Sequence, residues 1–282
     1  MNEIRKIAVV GSGVMGRGLA QLFCQSGLQV TLVNRNPASL ASARDEVGRR
    51  LARLVERGNL TAEQRDAALG RLATDQALAG AASADLVIEA VYERLHTKTE
   101  VLQGLHDACP AETIIATNTS SFSITLLGSL SGRPQRVIGL HFFNPAPLMQ
   151  LVEIVRGQAT SDETFQTGWQ FVERLGKTPV AVGDSAGFIT NRLLFPMINE
   201  AATVLAEGLA TREAVDTAMK LGANHPMGPL ELADLVGLDV CLQILEHLQE
   251  ELGDKYRPCP LLRRLVAAGH LGRKTRQGFY SY

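Results

Sequence analysis

Near its N-terminus the chain runs Ile7-Ala8-Val9-Val10-Gly11-Ser12-Gly13-Val14-Met15-Gly16, and the stretch from Arg17 to Ser26 that follows reads as a helix. A short, fully apolar strand thus stops at a glycine, and a helix opens six residues later. Gly-x-Gly-x-x-Gly is a weak signal alone. Here it lies between a strand and a helix, and a second apolar run, Gln29-Val30-Thr31-Leu32-Val33, ends at Asn34. In that context Gly11 permits a tight turn, Gly13 lets the backbone approach a pyrophosphate, and Gly16 lets helix and strand pack closely. Val14 and Met15 lie in the turn leading into the helix, whose free N–H groups and dipole favour phosphate. The turn therefore implies a bound dinucleotide.

The end of the second strand is less ordinary. Folds that bind NAD usually place Asp or Glu there, about 20 residues past the glycines, to hold the ribose hydroxyls. This chain has Asn34 followed by Arg35. Asn34 lacks the charge that would repel a 2′-phosphate, and Arg35 is able to pair with one. Equally, Asn34 can hydrogen-bond the ribose of NAD while Arg35 stays solvated. Both NAD and NADP are compatible with the sequence.

Three further continuous apolar runs, Asp85–Val91, Thr113–Thr117 and Arg136–Leu140, alternate with helical stretches, the pattern of a parallel sheet covered on both faces. Leu151–Val155 and Pro179–Val182 add two later strands, read as antiparallel. Residues 38–71, rich in arginine, read as a helical insertion between the second and third strands. Beyond Gly187 the strand pattern disappears. Helices are expected over 188–208, 211–222, 229–252 and 260–269, broken at Gly208, Gly222, Pro226-Met227-Gly228-Pro229 and Gly253. The fold class is α/β: a Rossmann-type doubly wound sheet with a helical insertion over residues 1–186, plus an all-α C-terminal domain over 187–282.

Bulk properties agree with this division. The chain has 282 residues, 45% hydrophobic and 20% charged, enough for two ordinary domains with real cores. A net charge of -1 gives no reason to expect nucleic acid or an anionic membrane as partner. No window is apolar for long enough to span a membrane, and no secretory segment precedes the first strand, so a cytoplasmic location is expected. Cys24, Cys109, Cys241 and Cys259 lack metal-ligand or redox spacing. Asp234 and Asp239 read as caps or surface contacts, and no metal site is expected.

The fifth strand runs into His141-Phe142-Phe143-Asn144-Pro145, and Glu153 follows amid Leu151, Val152, Ile154 and Val155. A carboxylate in an apolar strand needs a partner. If the chain reverses at Pro145-Ala146-Pro147, Glu153 returns beside His141 and fixes its tautomer, as a general base or acid requires. Taken together, the glycine turn, Asn118-Thr119-Ser120-Ser121, His141 through Pro145, Glu153, Gly187-Phe188-Ile189-x-Asn191-Arg192 and Gly272-Arg273-Lys274-Thr275 resemble the L-3-hydroxyacyl-CoA dehydrogenases, including the bacterial 3-hydroxybutyryl-CoA enzymes. The resemblance covers essentially the whole chain.

The resemblance implies a reaction and a set of roles. His141 would be the catalytic base and Glu153 its orienting partner. Ser120, Asn144 and Asn191 would hydrogen-bond the substrate, the histidine or the nicotinamide, although Ser120 and Asn118 could equally cap the helix following Ser121. Glu93 and Lys98 match positions that line the cofactor, and Lys274 matches a lysine reaching it from the C-terminal tail. Arg50 and Arg57 match positions that contact coenzyme A, where Ser and Lys are typical. With Arg53 they form a basic stripe at helical spacing, which is equally an ordinary charged face. The acyl group would be carried by coenzyme A or by an acyl carrier protein, and the C-terminal domain would form a homodimer. Two other functions fit the same fold: a dehydrogenase of a non-thioester hydroxy acid or polyol, and a cofactor-binding protein without catalysis, against which the His–Glu pair counts.

Overall fold

The structure, a computed structural model, describes residues 3–282. Its strands are β1 (Lys6–Val10), β2 (Gln29–Val33), β3 (Leu72–Asp75), β4 (Leu86–Glu89), β5 (Ile114–Thr117), β6 (Val137–Phe142), β7 (Leu151–Arg156) and β8 (Thr178–Gly183). They form one sheet in the order β3-β2-β1-β4-β5-β6-β7-β8. Pairing is parallel from β3 through β6. The sheet then reverses, with β7 antiparallel to β6 and β8 parallel to β7. Every residue of β4 and β5 is buried, as expected of strands covered on both faces. The helices beside the sheet are α1 (Val14–Gln25), α2 (Pro37–Glu56), α3 (Ala62–Gly70), α4 (Leu95–Ala108), α5 (Ile124–Leu130) and α6 (Asp162–Arg174).

The insertion after β2 is helical as read, but it ends in β3, which the sequence reading missed. Only Leu72 of that edge strand is buried, so it shows no apolar run. The two inserted helices begin at side-chain caps. Asn36 Oδ1 accepts from Ser39 N at the start of α2. Thr61 and Gln64 form a reciprocal capping box at α3. Neither Asn118 nor Ser120 caps the helix after Ser121. Ser123 does, accepting from Leu126 N, and Asp184 reinforces it by accepting from Ile124 N, Thr125 N and Ser123 Oγ.

By its internal contacts the chain divides after Asp184. The second unit holds α7 (Thr190–Ala206), α8 (Arg212–Gly222), α9 (Pro229–Val236), α10 (Leu238–Leu252) and α11 (Pro260–Ala267) around a core that includes Phe195, Ile198, Leu230, Leu245, Leu262 and Phe279. The expected helix over 229–252 is two helices. Gly237, at φ 106°, stands between them in a conformation that side-chain-bearing residues avoid.

Two buried carboxylates hold the C-terminal tail onto this unit. Asp234 accepts from Phe279 N at 2.9 Å, Tyr280 N at 2.8 Å and Tyr282 Oη at 3.1 Å. Asp216 accepts from Leu230 N, Glu231 N and Tyr280 Oη. Asp234 is therefore an internal clamp rather than a cap or surface contact. Its replacement by Ala strands two backbone N–H groups, at about 1–3 kcal/mol each. Asp234→Ala should lower the unfolding free energy by about 2–5 kcal/mol in urea titration, and a loss below about 1 kcal/mol would show that the clamp is not needed.

Candidate functional site

The glycine turn stands at the C-terminal end of β1. Gly11, at φ 112°, donates its N–H to Val33 O at 2.9 Å and so ties the turn to the end of β2. A Cβ on Gly11 would lie 2.4 Å from Ala90 O, and one on Gly16 would lie 1.8 Å from Gly11 O. Both glycines are thus required by backbone packing. Gly13 is different, because a Cβ there would meet no protein atom within 4 Å. Gly13 also N-caps α1 without any side-chain hydrogen bond. The first-turn N–H groups around Val14 and Met15 are thereby left for an anion from outside the protein. This open cradle fits the pyrophosphate of a dinucleotide.

Asn34 is stitched to the turn. Its Nδ2 donates to Ser12 Oγ at 2.8 Å, and its Oδ1 accepts from Asn36 N at 2.9 Å. Arg35 is 77% exposed and stands 3.6 Å from Glu100.

Beyond the ends of β4 and β5 lies a buried ionic network. Lys98, on α4, donates to both oxygens of Glu89 at 2.9 Å and stands 3.0 Å from Glu93. Glu89 also accepts from Thr117 Oγ1 at 2.7 Å and Val91 N at 2.8 Å. Glu93 takes hydrogen bonds from Thr119 Oγ1, Ser121 Oγ and Ser120 N. Burial pulls the Lys98 pKa down, but the two carboxylates outweigh it and raise the value. Burial pushes the Glu93 carboxyl up, but the Lys98 charge and the hydroxyl bonds hold it below the usual carboxylate range. Glu89 escaped the sequence reading. The signal was present, since a fully buried acid closing an apolar strand needs a partner, as at Glu153.

His141 and Glu153 face each other across the antiparallel β6–β7 pair, directly opposite in register. His141 Nδ1 is 2.7 Å from Glu153 Oε2, and both side chains are buried. Nδ1 is thus the ring nitrogen that faces the Glu153 carboxylate. The ring packs against Phe143 at 4.5 Å between centroids. Asn118 Oδ1 accepts from Phe142 N at 3.0 Å, which ties the loop carrying Ser120 to the end of β6. Asn144 follows on the exposed turn after β6.

Comparison with known proteins fits this geometry. Residues 6–185 match the family model for the 3-hydroxyacyl-CoA dehydrogenase NAD binding domain, and residues 187–282 match the model for the C-terminal domain of the same enzymes. The chain belongs to the 3-hydroxyacyl-CoA dehydrogenase family. It is 49% identical to a probable 3-hydroxybutyryl-CoA dehydrogenase of Bacillus subtilis, over 99% of this chain and 98% of the relative. Among solved structures, the (S)-3-hydroxybutyryl-CoA dehydrogenase of Ralstonia eutropha superposes with a TM-score of 0.97 at 45% identity, covering 99% of each chain. A diketoreductase acting on dicarbonyl compounds superposes with a TM-score of 0.88 at 32% identity, covering all of both chains.

The other residues singled out from the sequence are more scattered. Asn191 is buried in the first turn of α7, in the second unit. Lys274 is paired with Asp239 at 2.5 and 2.6 Å within that unit. Arg50 donates to Glu46 at 2.9 Å, and the bonded Arg49 and Arg50 hold that carboxyl at about 2. Arg57 is the exposed C-cap of α2. No group of His, Cys, Asp and Glu among the described residues could hold a metal ion. Among the same residues no helix is long and apolar enough to cross a membrane.

The ionic network has a definite pH signature. The depressed Glu93 contributes stability above its unfolded pKa of about 4.3, and this is lost as pH falls through the folded value. The raised Lys98 contributes stability below about 10.4, and this is lost as pH rises through the folded value. Lys98→Met leaves the buried Glu89 and the half-buried Glu93 without their cation. It should cost about 3–5 kcal/mol at pH 7, a deficit that narrows below about pH 4 as Glu93 takes up its proton. Urea unfolding at both pH values measures this, and a deficit independent of pH would contradict the ionic account.

Proposed function

We propose that the protein interconverts a 3-hydroxyacyl thioester and the corresponding 3-oxoacyl thioester, with 3-hydroxybutyryl-CoA as the type of substrate. The observation that carries this reading is the His141–Glu153 pair, opposed in register at the end of β6 in a chain of this family. A nicotinamide dinucleotide held by the glycine turn would supply the hydride acceptor for C3 in oxidation and the hydride donor in reduction. His141 Nε2 takes the 3-hydroxyl proton as the C3–O bond becomes a carbonyl, and gives it back in the reverse direction. Glu153 holds Nδ1–H, so the neutral ring presents its lone pair at Nε2, and it stabilises the ring when protonated.

Ser120, Asn144 and Asn191 supply neutral hydrogen bonds to substrate and nicotinamide, and these position oxygens without adding charge. Gly11, Gly13, Val14, Met15 and Gly16 hold the pyrophosphate, and Glu93 and Lys98 line the same cofactor. Lys274 joins them when its ammonium exchanges Asp239 for a ligand phosphate. Arg50 and Arg57 receive the phosphates of coenzyme A, with an acyl carrier protein as the other carrier their charge would suit. The helical unit leaves Leu193 and Leu221 69% and 83% exposed, surface that a second copy of the chain would cover in a homodimer.

The similarity to the diketoreductase favours a second reading, in which the same His–Glu pair serves a dicarbonyl compound free of coenzyme A. The engagement of Arg50 by Glu46 is consistent with it. Initial rates with acetoacetyl-CoA and with free 3-oxo acids separate the two, and turnover confined to the free acids would overturn the thioester reading.

His141→Ala should lower kcat by at least about 100-fold while dinucleotide binding stays measurable by fluorescence titration. Glu153→Gln should lower kcat by on the order of 100-fold without unfolding the chain. Near wild-type turnover in either variant would remove that residue from the mechanism. Arg50→Ala combined with Arg57→Ala should raise KM for acetoacetyl-CoA several-fold and leave KM for the dinucleotide in place. An unchanged acyl-CoA KM would place the coenzyme A phosphates elsewhere.

A further inference from the structure

The geometry at the end of β2 points to NADP(H), the 2′-phosphorylated dinucleotide, as the preferred cofactor, with Arg35 and Asn34 as the residues that select it. This rests on the reading of the chain as a nicotinamide-dependent dehydrogenase and adds which nicotinamide dinucleotide it takes.

The position is fixed by hydrogen bonds. Gly11 N donates to Val33 O, and Asn34 Nδ2 donates to Ser12 Oγ, so residues 34 and 35 lie beside the turn that cradles the pyrophosphate. In sheets of this type the adenosine ribose lies there.

The position lacks the carboxylate that would repel a 2′-phosphate, and the donors it offers complement phosphate oxygens. A carboxylate at residue 34 would accept hydrogen bonds from the ribose hydroxyls. Asn34 offers an amide instead, and its carbonyl oxygen is already engaged by Asn36 N. That backbone donor also fixes which amide atom is oxygen. The second N–H of Nδ2 is the group left over, a donor that complements the acceptor oxygens of a phosphate.

The charges agree. The Arg35 guanidinium is 77% exposed, and its ion pair with Glu100 is 3.6 Å long with Glu100 45% exposed. A surface pair of that length is weak and exchanges readily for a phosphate, which a guanidinium can grip with two parallel bonds. Asp75, at the end of the neighbouring β3, has its carboxylate turned into its own loop, where Oδ1 accepts from Ala77 N and the side chain lies against Gly80. The 20-residue helix α2 starts at Pro37, carries no acid in its first turn, and presents its positive end to the same place.

The test uses the intact protein and has two arms. Initial rates with acetoacetyl-CoA should give a kcat/KM at least tenfold higher with NADPH than with NADH. Arg35→Ala should lower that NADPH:NADH ratio at least tenfold, and Asn34→Asp should lower it further by returning a carboxylate to the ribose. In the second arm, calorimetric titration with adenosine 2′,5′-bisphosphate and with AMP, which differ only in the 2′-phosphate, should show that phosphate tightening binding at least tenfold in the wild type and far less in Arg35→Ala. A wild-type preference for NADH, an unchanged ratio in Arg35→Ala, or equal affinity for the two adenine nucleotides would overturn the inference. Absence of turnover with acetoacetyl-CoA would overturn the thioester reading instead, and the titration would still decide the cofactor.

Discussion

A slip of one residue between β6 and β7 would turn Glu153 to the opposite face of the sheet and leave His141 beside an aliphatic neighbour. The register that prevents this is set by the apolar residues on either side. Leu140 pairs with Ile154 and Phe142 with Val152, and all four are buried. The antiparallel reversal at β7 also lets β8 close the edge of the sheet. The only acid in β7 therefore arrives opposite the only histidine in β6, and the ring nitrogen hydrogen-bonds a carboxylate buried among apolar neighbours.

The same logic operates at the middle of the sheet. Strand order reverses between β1 and β4, so the connections after these two strands lead in opposite directions and open a crevice beyond their ends. Gly11 lies against Ala90 at that point, which admits the turn only because the residue has no side chain. Beside it, Glu89 and Lys98 bury opposite charges at the end of β4. Through Thr117, Thr119 and Ser121 they and Glu93 bind together the loops that follow β4 and β5. The network fixes these loops: Ser120 N donates to the Glu93 carboxylate, and Asn118 is held by its backbone bond to Glu89 O and by the bond its side chain accepts from Phe142 N.

Legibility in the sequence followed the strength of the local signal. β1, β2, β4, β5 and β6 are continuous apolar runs and were readable as such. β3 was not, because an edge strand with one buried residue has no pattern to detect. The break at Gly237 was hidden inside a stretch whose apolar spacing continues across it. Asn118 and Ser120 looked like helix caps because their residue types suit that role. The cap fell to Ser123 because Asp184, sixty-one residues further along the chain, reinforces it there. The sequence presented Asp234 as a cap or a surface contact, and its burial under residues 279–282 came from folding of the tail.

By itself the sequence determined that a glycine turn follows a buried strand, that the third of the chain beyond residue 187 is helical, and that His141 and Glu153 stand where a reversal can join them. These follow from short-range rules: glycine where no Cβ fits, apolar runs where both faces are covered, and an acid that cannot remain alone in an apolar strand. Only the tertiary structure decided which partners those groups take. It gave Glu89 and Glu93 to Lys98, Lys274 to Asp239, and the amide of Asn34 to Ser12 and Asn36. Partner choice depends on distances between segments far apart in the chain, and those are set by the register and order of the sheet rather than by any local run of residues.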